Sequence, residues 1–292
     1  MGLFSKKEPC PFCGGKVKGL FVNKIEGRHI CYDCYGVADL PRDVLDNITL
    51  DGFRCYMAFR AENDKLKPQF QVTQKVDFGW FDSKFIFDFN NRLMCMDDSL
   101  NKTVFEGKQI KSFVIKEDNT PLFEGSASGL MRYSSSVPEA VRSLSTQIQM
   151  FRMRKELHRQ TEDDSSTPRI DLPEPFEQFN VEIRFEHPYW NVFKADMGGP
   201  RFDNSMPDIN DYLERYRENV GEMEQLARAI MRVAFPDAPE QTVQSGGIVV
   251  NASASGANVD AVAEIKRYKD LLEQGVITEE EFTAKKKQLL GI

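Results

Sequence analysis

Four of the six cysteines stand at Cys10, Cys13, Cys31 and Cys34, as two C-x2-C pairs with 17 residues between them. That spacing lies within the range for a four-thiolate zinc site. Two thiolates three residues apart on a tight turn occupy two corners of a tetrahedron, and a second such turn closes it. Gly14, Gly15 and Gly36 follow the pairs, where glycine lets the chain turn beneath a metal and aim N–H groups at sulfur. A redox C-x-x-C pair normally stands alone at a helix start in a βαβ setting, so two pairs argue against that chemistry. With sulfur at all four corners there is no open coordination position, and the site reads as one structural Zn2+ ion. Val17–Ile30 between the pairs predicts a hairpin, and His29 reads as a surface residue.

Such a zinc ribbon raises the question of nucleic acid. Residues 1–40 carry Lys6, Lys7, Lys16, Lys18, Lys24 and Arg28 against Glu8, Glu26, Asp33 and Asp39. The surplus of positive charge is cancelled by the doubly negative zinc tetrathiolate. A neutral segment in a chain of net charge −7 has little counterion-release drive toward phosphate. The sequence therefore favours a protein partner and leaves a nucleic-acid-binding regulator as the alternative.

The last 34 residues carry the second pattern. Val259, Val262, Ile265, Tyr268, Leu271 and Leu272 recur at helical spacing, and Gly275 ends that helix. Thr278 and Glu281 form a capping box, with Ile277 and Phe282 at the hydrophobic-staple positions. Leu289 and Leu290 close the apolar stripe. The prediction is a helical hairpin over 259–292. Two short helices cannot bury both apolar faces alone, so they need a second copy or another protein. Ile265, Tyr268, Leu271, Leu272, Ile277, Phe282, Leu289 and Leu290 are the candidate interaction residues. The run Leu271-Leu272-x-x-Gly275-x-Ile277-Thr278-x-x-Glu281-Phe282-x-x-Lys285-Lys286 resembles the short C-terminal domain family, SHOCT. The resemblance implies a module for oligomerisation or docking, appended to many unrelated bacterial and phage proteins. Residues 238–258 are small and polar and predict a flexible linker to it.

Between these ends, residues 41–237 predict a β-rich middle domain. Leu45, Ile48 and Phe53 suit a short cap against the ribbon. Val76/Phe78/Trp80 and Phe85/Phe87/Phe89 alternate as strands do, and 104–105, 112–116 and 122–124 continue the signal around a turn at Asp118-Asn119. A helix is expected over 138–158, a polar loop over 159–175, and strands at 181–185 and 190–193. A long amphipathic helix follows from about Pro207 to Ala234, capped by Asp208 or Asn204. The fold class is α+β and multidomain: zinc ribbon, β-rich domain with a covering helix, linker and helical hairpin. A pleckstrin-homology-like barrel is one candidate for the middle domain. The whole layout also resembles uncharacterised bacterial and phage proteins that pair an N-terminal zinc ribbon with a SHOCT tail.

Little points to catalysis. Gly125-Ser-Ala-Ser-Gly129 has Ala127 where a nucleophile elbow needs serine. The sequence has no phosphate-binding glycine loop and only His29, His158 and His187 as histidines. Cys55 and Cys95 lie among apolar neighbours and read as buried, and His187 reads as structural. Mean hydropathy is −0.46, and no apolar run approaches a membrane span. Residues 1–7 turn charged at once, unlike a secretory leader, and Lys6 stands where a myristoylation signal needs serine or threonine. The expectation is a cytoplasmic, non-enzymatic adaptor, with peripheral membrane docking left open.

Overall fold

The alternation that predicts strands is seen most plainly in Gln178–Phe185, where Phe179, Val181, Ile183 and Phe185 are buried and the residues between them are not. A computed structural model describes residues 8–18, 22–77, 84–97, 100–160, 169–244 and 248–251. Phe78, Trp80, residues 161–168 of the expected 159–175 loop and the hairpin of 259–292 lie outside the described residues.

The chain opens with a hairpin of β1 (Lys24–Ile25) and β2 (Arg28–His29), turned by Glu26 and Gly27 at positive φ. Short helices α1 (Tyr32–Gly36) and α2 (Arg42–Asn47) lead to α3 (Leu50–Asn63) and a 3-10 turn at Asp64–Gln69. Next come β3 (Gln74–Asp77), β4 (Lys84–Asp88), β5 (Leu93–Cys95) and β6 (Val104–Glu106), an antiparallel meander. In β4 the residues Phe85–Asp88 are buried in succession, because both faces of this sheet are covered. Phe85 and Phe87 enter the main core, while Ile86 meets Phe70, Leu93, Cys95 and Val104 on the other side.

The larger sheet has seven strands in the order β11-β10-β7-β8-β9-β12-β13. β7 (Ile110–Glu117), β8 (Thr120–Ser126) and β9 (Gly129–Arg132) form a meander. Asp118 turns the first hairpin at φ +49, and its carboxylate accepts the N–H groups of Glu177 and Gln178, fixing the start of β10 (Gln178–Phe185). β10 pairs antiparallel with β7, Ile183 opposite Phe113, and with β11 (Val192–Gly198). Gly125 opposes Phe113 across β7 and β8. A Cβ there would lie 2.1 Å from the Phe113 ring, so only glycine fits.

The helix expected over 138–158 is two, α4 (Val137–Ser143) and α5 (Ser145–Gln160). At the break the Ser143 hydroxyl donates to the Ala140 carbonyl (2.7 Å), competing with the helix ladder. The long helix α6 spans Ile209–Ala234, and Asp208 caps it by accepting the N–H groups of Asn210 and Asp211. Its face of Tyr212, Leu213, Tyr216, Met223, Leu226, Ile230 and Val233 is buried against both sheets. Arg92 donates to the Val233 and Ala234 carbonyls and closes its C-terminus.

Two expectations are corrected. Part of the segment read as linker is strand: β12 (Glu240–Gln244) runs parallel beside β9, and β13 (Ile248–Asn251) follows. Thr242, Val243, Ile248, Val249 and Val250 are β-branched, a propensity that the small residues around them obscured. Cys55 is exposed rather than buried. Helix α3 buries Phe53, Tyr56, Arg60 and Asn63 along one stripe, and Cys55 falls off it. Cys95 is buried as expected. Among the described residues no helix is long and apolar enough to cross a membrane.

Candidate metal centre

The first cysteine pair sits on a tight knuckle. The Gly14 N–H donates to the Cys10 carbonyl and the Cys10 N–H to the Gly15 carbonyl, both at 2.9 Å. Gly14 takes φ +69, which brings the Gly15 N–H to 3.4 Å from the Cys13 sulfur. In the second pair Cys31 is the N-cap of α1, and its sulfur accepts the Cys34 N–H at 3.4 Å. The two turns bring all four sulfurs within 4.8 Å of one another. Cys13 and Cys31 stand 3.6 Å apart, close to the edge of about 3.8 Å that bonds of about 2.3 Å give a tetrahedron. Cys10, Cys31 and Cys34 are buried and Cys13 is exposed. The four predicted ligands are therefore together, and their geometry suits one metal ion.

The electrostatics point the same way. Although burial opposes it, backbone N–H groups of Cys31, Phe12 and Cys13 bring the Cys10 thiol down to about 6. Burial, then the neighbouring thiols, push Cys34 far up. Four thiolates this close cannot all ionise without a cation to offset their charge, and a bound metal supplies it.

Leu45, Ile48 and Phe53 pack against this cluster, as the expected cap does; sequence reasoning missed the remaining contacts that hold it to the rest of the protein. Phe53 and Tyr56 of α3 pack with the cysteines, Ile25 and Ile30 in one core. The Tyr56 hydroxyl accepts the Asp39 N–H at 2.7 Å, and the Asp39 carboxylate accepts the Thr103 N–H at 2.7 Å. Arg60 donates to the Asn101 carbonyl and the Thr103 hydroxyl. The Asn63 amide pairs with both backbone groups of Val104 (2.7 and 2.9 Å), imitating a strand neighbour. The spacing Phe53/Tyr56/Arg60/Asn63 is the sequence signal that could have located this bracket.

Elsewhere, a cleft of about 540 Å3 opens between β9 and α6. Ser135 and Tyr216 on its wall donate to the buried Glu117, whose carboxyl burial pushes up. Tyr133 donates to Glu124, and Arg132 pairs with Glu224. These groups pair with one another rather than converge on open space.

His187 is buried, as its structural reading anticipates. Its Nδ1 accepts the Tyr189 N–H, and the rings of Phe59 and Phe105 meet it edge-on. The candidate interaction residues Ile265, Tyr268, Leu271, Leu272, Ile277, Phe282, Leu289 and Leu290 lie outside the described residues. Comparison with known families covers that segment instead. Residues 263–290 match the short C-terminal domain family, SHOCT. No curated protein and no solved structure matches the chain.

Proposed function

We propose that this chain is a non-enzymatic, cytoplasmic adaptor, folded at its N-terminus by one zinc ion and self-associating or docking partners through its C-terminal hairpin. The match of residues 263–290 to SHOCT carries this reading, because two short amphipathic helices need a surface to bury against. Zinc is the ion of choice for a closed set of four thiolates, and its bonds contribute folding free energy. Two sheets closed by a long C-terminal helix support a pleckstrin-homology-like middle domain as the platform between the two ends.

Light scattering on the full-length protein and on a chain ending at Asn258 tests this. The truncated chain is expected to have a lower oligomer mass and to lose a defined set of crosslinked partners from native cells. Unchanged mass and an unchanged partner set refute the hairpin's role. Salt-dependent retention of DNA or RNA by both proteins would instead favour the ribbon as a nucleic-acid surface.

A further inference from the structure

The four sulfurs do not meet solvent equally. Cys10, Cys31 and Cys34 are buried, and Cys13 is exposed. Its neighbour in the knuckle keeps it so. A Cβ at Gly15 would lie 3.2 Å from the Cys13 sulfur, so a side chain there would press against that atom, and glycine leaves it bare. The Gly15 N–H approaches the same sulfur at 3.4 Å. The Cys10 sulfur, by contrast, is held by the N–H groups of Cys31, Phe12 and Cys13. A metal keeps its sulfur ligands as thiolates, the form that oxidants attack. Coordination slows a bulky alkylating reagent, but a bare sulfur still admits a small peroxide.

The exposed sulfur also has a partner. Cys31 stands 3.6 Å away, on the other turn. A bond between Cys13 and Cys31 joins the same two turns that a shared ion joins. It removes two of the four ligands, and Cys10 with Cys34 cannot complete a tetrahedron alone. The change reaches beyond the cysteines, because Phe53 and Tyr56 of α3 share the sulfur core.

We propose that the cluster is a peroxide-sensitive switch: Cys13 is oxidised first, Cys31 resolves it, and a disulfide takes the place of the ion. The Cys13 thiolate attacks hydrogen peroxide, breaks the O–O bond and becomes a sulfenic acid, releasing hydroxide. The Cys31 thiolate then attacks the Cys13 sulfur, forms the S–S bond and expels a second hydroxide. Two thiolates lose two electrons, and the peroxide is reduced to two waters after taking up two protons from solvent. A thiol reductant reverses the exchange. The proposal rests on the zinc reading above and adds its regulation.

The test treats the zinc-loaded full-length chain, in a Cys55→Ser background, with hydrogen peroxide. Freed zinc is read with a colorimetric chelator, and disulfides are mapped by peptide mass spectrometry after free thiols are blocked. Release of about one ion per chain is expected, matched by a Cys13–Cys31 disulfide and reversed by a thiol reductant with added zinc. Cys13→His keeps a nitrogen ligand at the exposed corner and is expected to release its ion on the order of tenfold more slowly. Gly15→Ala covers the sulfur without removing it and is expected to slow release by a smaller factor. Retention of the ion under peroxide, a disulfide within either C-x2-C pair, or equally fast release from Cys13→His overturns the switch. If Cys13→His does not load zinc, the disulfide map of the unsubstituted cluster decides. A chain that never loads zinc refutes the zinc reading itself, whereas a loaded chain that keeps its ion refutes only the switch.

Discussion

The cysteine module and the sheet domain are held together by different means. Among the described residues of 8–40 there are two strands of two residues each and one five-residue helix, too little regular structure to bury a core. Their buried residues gather around four sulfurs, with Ile25 and Ile30 beside them. The sheet domain instead buries Phe85, Phe87, Phe105, Phe123 and Phe179 almost completely, under a 26-residue helix. Where the apolar core is small, a metal can replace it; where it is large, shape fixes the fold.

The sharpest way to break this comparison is Cys10→Ser. Losing one thiolate should empty the site, and structural zinc supplies apparent stabilisation of about 10 kcal/mol in small modules. Metal content should fall from one ion per chain toward none. Hydrogen exchange should accelerate across 8–36 and in α3, because Phe53 and Tyr56 share the sulfur core. Strands β7, β8 and β10 should keep their protection. Loss of protection there too would show that the two regions fold as one. The mirror experiment is Gly107→Ala. A Cβ at Gly107 would lie 2.1 Å from the Val233 carbonyl oxygen, a backbone atom that no rotamer change can move. The sheet domain should lose about 3 kcal/mol in urea unfolding while metal content stays at one ion. A stability change under 1 kcal/mol would mean that α6 shifts more freely than its packing implies.

The two regions also differed in how far their sequence could be read. The four-cysteine cluster was legible because Cys10, Cys13, Cys31 and Cys34 encode their geometry in local spacing. The long helix was legible because its apolar period runs unbroken from Tyr212 to Val233, with Asp208 before it. Strand β4 was legible as a strand but not in its burial. Alternation implies one wet face, and Ile86 is covered by Phe70, whose position depends on a distant turn. The bracket from α3 to Thr103 and Val104 was illegible, since Arg60 and Asn63 find their partners about 40 residues away. Strand β12 was hidden because its partner, β9, lies more than 100 residues earlier. Local rules report local contacts, and these elements are decided by distant ones.

His187 lies where the two regions meet. Its neighbour Tyr189 packs against both cores, and Phe59 of α3 closes on its ring. Burial holds its pKa down at about 4, against the ordinary 6.5. Between those values the unfolded chain binds a proton that the folded chain refuses. Stability from the neutral ring is therefore complete above pH 6.5 and is lost as pH falls toward 4, by about 2–3 kcal/mol. Acid also weakens a thiolate site, so the useful quantity is the difference between wild type and His187→Phe. Urea unfolding at pH 7.5 and pH 5 should show a smaller acid loss in the variant. Equal losses would show that His187 does not contribute to the acid sensitivity.

The smallest expected effect separates the two remaining thiols from the four. Cys55 is exposed on α3, outside the cluster. Cys95 is buried among Phe70, Ile86, Leu93 and Val104, and burial pushes its thiol up to about 12. Cys55→Ser should change stability by less than about 0.5 kcal/mol and leave the metal in place. Cys95→Ser puts a hydroxyl among those apolar side chains and should cost about 1–3 kcal/mol. In the native, metal-loaded protein, a thiol reagent should react quickly with one cysteine. Cys95 should be slow because the reactive species is the thiolate and burial suppresses it, and the four clustered cysteines should be slow if their sulfurs hold an ion. Removing the metal with a chelator should add up to four fast thiols without altering Cys95. If those four react quickly before chelation, the sulfurs do not hold a metal and the small module must draw its stability from α3 alone.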